Sequence, residues 1–107
     1  MKFDDVQELE LKCFKGGEGA LLARMVVDGE NRLMRGRLSP GSSIGMHTHT
    51  GSCEMIYVIK GIGTVIMDGK EETLAPGDYH YCPEGHTHSL CNRGTRELVF
   101  FAVIPRQ

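Results

Sequence analysis

Residues 45–54 read GMHTHTGSCE, which puts His47, His49 and Glu54 within eight positions of a chain that has five histidines in all. Imidazole and carboxylate are both common ligands of divalent metals. Whether these three side chains serve one site depends on the local backbone. On a strand, side chains repeat every two residues, so His47 and His49 would share a face with Cα atoms about 7 Å apart. On a helix the same pair would point nearly opposite ways. The surrounding residues are β-like, which favours convergence on one ion. Taken alone, the pair leaves open an ordinary polar patch on an exposed strand.

The rest of the chain is written in the same period. Short β-branched and aliphatic runs are cut by glycine and turn residues: ALLARMVVDGE (20–30), NRLMRGRL (31–38), CEMIYVIKG (53–61), GTVIMDGKEETLAPGD (63–78), HSLCNRGT (88–95) and ELVFFAVIP (97–105). Fourteen glycines, with turn signals at the spacing of roughly eight to twelve residues found in sandwiches and barrels, predict an all-β fold. Asp68-Gly69 is a hairpin turn signal. Only residues 4–10 leave room for a helix. Leu21, Ala23, Met25 and Val27 share one face and are expected in the core. Arg35 and Arg37 lie opposite Met34 and Leu38 and are expected to face outward rather than clamp a carboxylate.

Two segments break the alternation expected of a sheet with one wet face. MIYVI (55–59) and LVFFAVI (98–104) are apolar on both faces. Their outer face must be covered by a second layer, by the N-terminal segment or by a partner subunit, and a homodimer is the simplest cover.

Composition excludes several function classes. With net charge −2 over 107 residues, no basic patch marks a nucleic-acid binder, and no Lys/Arg-rich amphipathic segment marks a membrane surface. The longest apolar run, LVFFAVI, has seven residues, against about 20 for a membrane-spanning helix. The N-terminal MKFDDVQELELKCF is acidic and lacks an apolar leader region, so a cytoplasmic location is expected. Cys13, Cys53, Cys82 and Cys91 are then expected as reduced thiols. The length fits one domain, residues 1–107.

The remaining histidines, His80, His86 and His88, fall together in PGDYHYCPEGHTHSLCN (76–92). The turn at 83–85, PEG, can deliver His88 to the start of an inward-facing strand. The first cluster runs Gly41, five residues, His47, one, His49, four, Glu54, six, Gly61; the second runs Gly77, five, Pro83, one, Gly85, two, His88, three, Asn92. With a fifteen-residue spacer, these resemble the two sequence motifs of the cupin superfamily at every fixed position, over residues 41–61 and 77–92. The resemblance implies a double-stranded β-helix, or jelly-roll, barrel of two packed antiparallel sheets, usually paired as a dimer. It also implies one divalent metal held by His47, His49, Glu54 and His88.

Three neutral imidazoles and a carboxylate would leave a divalent ion a net charge near +1, enough Lewis acidity to polarise a bound oxygen. Mixed nitrogen and oxygen ligation suits Mn, Fe, Co, Ni, Cu or Zn alike. A metalloenzyme of dioxygenase, decarboxylase or isomerase type, acting on a small oxygen-bearing metabolite, is the preferred expectation. The alternative is a non-catalytic module that binds or senses a sugar or small acid. By parity alone His86 could replace Glu54 in an all-histidine site; the family pattern places His86 in the turn. His80 shares a face with Cys82, with a structural and a pocket role both open. Tyr57 and Tyr81 could offer a hydroxyl near the metal, though a core or interface position is the commoner use of such residues. Cys53 and Cys91 read as small buried thiols.

Overall fold

The computed structural model describes residues 1–107. Each glycine-bounded apolar run of the sequence forms at least one strand, giving β1 (Glu8–Lys12), β2 (Ala20–Asp28), β3 (Asn31–Leu38), β4 (Ser43–Thr48), β5 (Glu54–Lys60), β6 (Gly63–Met67), β7 (Lys70–Leu74), β8 (Tyr79–Cys82), β9 (Thr87–Cys91) and β10 (Leu98–Ile104). A six-stranded sheet, in the order β1-β2-β3-β10-β5-β8, faces a four-stranded sheet, β4-β9-β6-β7. Every ladder is antiparallel. This is the jelly-roll barrel that the motif resemblance implies.

Period-two alternation fills the space between the sheets. Leu21 and Ala23 of β2, Met34 and Leu38 of β3, Ile56 and Val58 of β5, and Leu98, Phe100 and Ala102 of β10 point inward from the larger sheet. Ile44, Val65, Leu74 and Leu90 meet them from the smaller one. Phe100 lies opposite Gly36 in the β3–β10 ladder. A Cβ on Gly36 would stand 2.5 Å from the Phe100 ring, so the ring occupies the volume that a side chain there would need.

The alternation overshoots at one end. Met25 packs on the core edge, but Val27, expected inside, is 60% exposed, because β2 runs on past the last layer of core side chains. The helix allowed over residues 4–10 is a single 3-10 turn at Phe3–Asp5 followed by β1. Seven residues cannot sustain a helix in water, and pairing of Glu8–Lys12 with β2 supplies the backbone bonds instead. The expected hairpin joins β6 to β7, with Asp68 and Gly69 at φ 49° and 80°, the left-handed pair of a type I′ turn.

Two further details brace the two ends of the barrel. A 3-10 turn at Phe14–Gly16 lies directly on β4. A Cβ on Gly45 would collide with the Lys15 carbonyl, and one on Gly17 with the Ser43 carbonyl. Asn92, the last fixed position of the second motif, is buried outside the histidine cluster. Its amide donates to the Leu38 and Arg96 carbonyls at 2.8 and 2.9 Å, and its oxygen accepts from the Gly94 N–H at 3.0 Å. It therefore ties the β9–β10 loop to the end of β3.

Gly45→Ala is expected to lower the unfolding free energy by about 1–3 kcal/mol through overpacking, and Asn92→Ala by about 1–3 kcal/mol through unpaired buried carbonyls. Urea titration should show both as a lowered midpoint with an unchanged slope.

Candidate metal centre

His47 comes from β4, His49 from the residues just after it, Glu54 from the first position of β5 and His88 from β9. Two registers bring them together. In the β4–β9 ladder Ile44 pairs with Leu90 and His47 with His88, so β4 advances three residues while β9 advances two. This is a β-bulge, the device that re-aims a side chain without ending a strand. Ile44 is buried in the core, and plain alternation from it would turn His47 outward; the extra residue turns it in. Beyond β4, His49 is held by backbone bonds, from its N–H to the His86 carbonyl at 3.1 Å and to its carbonyl from the Gly85 N–H at 2.7 Å.

The four side chains meet at one point. Glu54 Oε1 stands 3.0 Å from His49 Nε2, 2.9 Å from His88 Nε2 and 3.9 Å from His47 Nε2. His49 Nε2 and His88 Nε2 are 3.0 Å apart. His88, at 1% exposure, is the most deeply buried of the four. Each ring is held from behind. His47 Nδ1 donates to the Gly45 carbonyl at 2.7 Å, which fixes the proton on Nδ1 and turns the Nε2 lone pair toward the centre. His49 Nδ1 lies 3.1 Å from Ser52 Oγ, and His88 Nδ1 3.0 Å from His80 Nε2.

His47 carries its proton on Nδ1; if His49 and His88 do the same toward Ser52 and His80, the centre holds only acceptors: three imidazole lone pairs and a carboxylate. Such a set is stable around a cation, or with protons in its place. Separations of 2.9 to 3.9 Å are also those of ligand atoms on one ion, since bonds of roughly 2.1 Å at right angles give an edge of about 3.0 Å. The donor set and spacing therefore fit a divalent transition metal. Burial alone would push the Glu54 carboxyl up. Where protons take a cation's place, protonated His49 and His88 beside the carboxylate, with His47 farther off, outweigh that and hold it well below the usual carboxylate range. Glu54 is an anion even where protons substitute for a metal.

His80 and Cys82 also lie near His88, yet they make a poor second site. Burial pushes the Cys82 thiol up to about 11, and its Sγ faces the carbonyls of Pro83 and His86, so it offers no thiolate. Burial, and then the nearness of His88, push His80 down to about 4. A neutral His80 can accept the His88 Nδ1 proton and so set that ring's tautomer.

The other sequence candidates lie elsewhere. His86 is exposed and bonds Asp68 at the β6–β7 turn. Tyr57 and Tyr81 point outward and are 48% and 44% exposed. Arg35 and Arg37 face outward as expected, paired with Asp4 and with Glu8 and Glu97. All four cysteines are free thiols. Sequence reading missed the bulge, Ser52 and the cations at the mouth. A cavity of about 600 Å³ opens onto His47, His49 and Glu54, walled by Met34 and Ile104, with Lys15, Arg32 and Arg106 among its lining residues.

The family profile described as "Cupin domain" matches residues 34–104. The chain belongs to the cupin family. It is 36% identical over 110 residues to a Thermotoga maritima protein called "Oxalate-binding protein", covering 97% of this chain and 91% of the relative. A 74-residue stretch is 38% identical to a germin-like protein of Morus alba, over 64% of this chain and 35% of that one. Among solved structures, a "predicted oxalate decarboxylase" from Thermotoga maritima superposes with TM-score 0.93 at 29% identity, covering 99% and 97% of the two chains. The cupin domain of Schizosaccharomyces pombe Cnp3 superposes at 0.81 with 10% identity over 99% and 72%, a likeness of fold alone.

Replacing His80 by Phe is expected to weaken divalent-ion binding by roughly 10–100-fold, the usual cost of losing the group behind a ligating histidine. His80→Gln, which keeps an acceptor near the place of Nε2, should recover much of the loss; competition with a chelator measures both.

Proposed function

We propose that this chain is a metal-dependent cupin enzyme acting on a small oxygen-bearing metabolite, a carboxylate above all. One divalent transition ion is held by His47, His49, Glu54 and His88. The observation that carries the reading is the cluster of three imidazoles and one carboxylate at the foot of an open cavity. A purely structural centre would be closed, whereas this one faces a space large enough for a small metabolite. The ion would supply Lewis acidity toward a substrate oxygen. The chain's own part is to hold the three rings by their Nδ1 atoms, keep Glu54 anionic and shield one side of the centre with core side chains. The relative called an oxalate-binding protein and the structure called a predicted oxalate decarboxylase support a small carboxylate as the ligand class.

A second reading, carboxylate binding without turnover, is favoured by one feature. Apart from Glu54, the cavity's carboxylate is Glu30, and it is ion-paired with Arg106. No free general acid or base is thereby marked.

The proposal extends to assembly and setting. The 107 residues act as one cupin domain in the cytoplasm, where four unpaired thiols are at home, and they act as a homodimer. Met55, Tyr57 and Ile59 of β5 and Tyr79 and Tyr81 of β8 are 44–73% exposed on the outer face of the larger sheet. The N-terminal segment reaches only the neighbouring strand, where Phe3 packs edge-on against Phe101 at 5.8 Å. A second copy is the cover this apolar face calls for.

Tag-free protein purified without chelator is expected to carry close to one transition-metal ion per chain by mass spectrometry, and His88→Ala to carry almost none. Loaded protein given oxalate should form carbon dioxide or another product if it is an enzyme; saturable binding without product selects the second reading. Light scattering coupled to gel filtration should show a dimer for the parent chain and a monomer for Tyr57→Glu.

A further inference from the structure

Arg32 lies in the inward-facing row of β3, at that row's exposed end. The inner row of β3 is Met34, Gly36 and Leu38, all buried, and Arg32 continues that row beyond the core to the cavity. Arg32 pairs with Ile104 across the β3–β10 ladder. In the next ladder Val103 pairs with Met55, so one further step sets Ile104 beside Glu54. Arg32 and Glu54 thus lie in one cross-strand row, two strands apart, with Cα atoms about 10 Å from each other at the usual strand spacing. Between them stands the apolar side chain of Ile104.

No carboxylate answers this guanidinium. Arg106, the other arginine of the cavity, is paired with Glu30, and the outward arginines Arg24, Arg35 and Arg37 are paired with Asp4, Glu8 or Glu97. Arg32 takes part in no ion pair or side-chain hydrogen bond. Lys15, also among the lining residues, has its Nζ 5.5 Å from the Phe14 ring centroid and likewise meets no carboxylate. An unpaired arginine that lines the cavity, in a cross-strand row that ends at a cluster of metal-type ligands, is placed to receive an oxyanion. Its planar fork matches a carboxylate through two parallel hydrogen bonds.

We propose that Arg32 is the anchor for a second anionic group, and that the cavity selects short dicarboxylates: a 2-hydroxy- or 2-oxo-acid end lies on the ion held by the histidine–glutamate cluster, and a remote carboxylate lies on Arg32. This rests on the metal reading above and narrows its ligand class. Ile104 lies under the carbon chain that joins the two ends, and Lys15 adds positive potential at the entrance. Arg32 is a specificity residue here, touching the end of the ligand away from the ion.

The test uses the full chain loaded with manganese, with metal content measured on every sample, and titrates two ligands that share one chelating end. Malate carries the remote carboxylate; 2-hydroxybutyrate carries a methyl group in its place. Calorimetry should show malate binding at least 10-fold more tightly than 2-hydroxybutyrate. In Arg32→Gln that preference should fall to within about 2-fold while metal content and 2-hydroxybutyrate affinity stay unchanged. Arg32→Lys should restore part of it, since a point charge replaces the fork. Equal binding of the two acids by the parent chain, or an undiminished preference in Arg32→Gln, would overturn the inference and leave the metal reading standing. A parent chain that takes up no manganese would overturn both.

Discussion

One extra residue in β4 underlies the site. Between Ile44 and His47 the ladder to β9 gains a bulge, and it lets two residues of opposite parity face the same interior. Ile44 joins the core; His47 joins the polar centre and comes directly opposite His88. The glycine in the bulge serves twice. Its carbonyl accepts a hydrogen bond from His47 Nδ1–H, and its missing side chain admits the backbone of Lys15 against β4. The same small region therefore sets a ring tautomer and places Phe14 and Lys15 at the cavity mouth. A β-bulge beside a functional centre is a positional device with an energetic cost, and here the cost is met by backbone pairing on both sides.

A buried carboxylate among three buried or half-buried imidazoles is expensive unless each polar atom is answered. The rings are satisfied from behind by a carbonyl, a hydroxyl and a fourth imidazole, and no buried side-chain nitrogen or oxygen lacks a partner. What remains at the centre is a concentration of lone pairs that a cation would neutralise. The most deeply buried ring, His88, takes its support from inside the barrel. His80 is on β8, which pairs with the strand bearing Glu54, so His80 and Glu54 hold His88 from two sides.

β5 carries two separate tasks on its two faces. Glu54, Ile56 and Val58 point inward to the centre and the core, while Met55, Tyr57 and Ile59 point outward. This explains why the strand reads as apolar throughout although it belongs to a two-layer barrel. The outward tyrosines lie away from the cavity, and their rings suit an interface better than an acid–base role.

Much of this was legible in the sequence. Period two in His47 and His49, the Asp68-Gly69 turn, the glycine-cut runs and the spacing of both motifs led to the barrel and to the four clustered side chains. Parity said which residues share a face. It could not say where the core ends, so Val27 was expected inside, nor that a seven-residue segment would find a strand partner in β2. It also could not reveal the bulge, because an inserted residue alters register without altering composition. The support of His88 by His80, and the row joining Arg32 to Glu54 through Ile104, depend on strands β3, β5, β8 and β10 being neighbours. Those pairings link residues up to 72 positions apart, Arg32 to Ile104, through long-range hydrogen bonds and packing. The sequence by itself determined the residue types and which near neighbours along a regular strand share a face. Only the tertiary structure decided which faces meet, because strand adjacency is chosen by closure of the whole barrel rather than by any local stretch of chain.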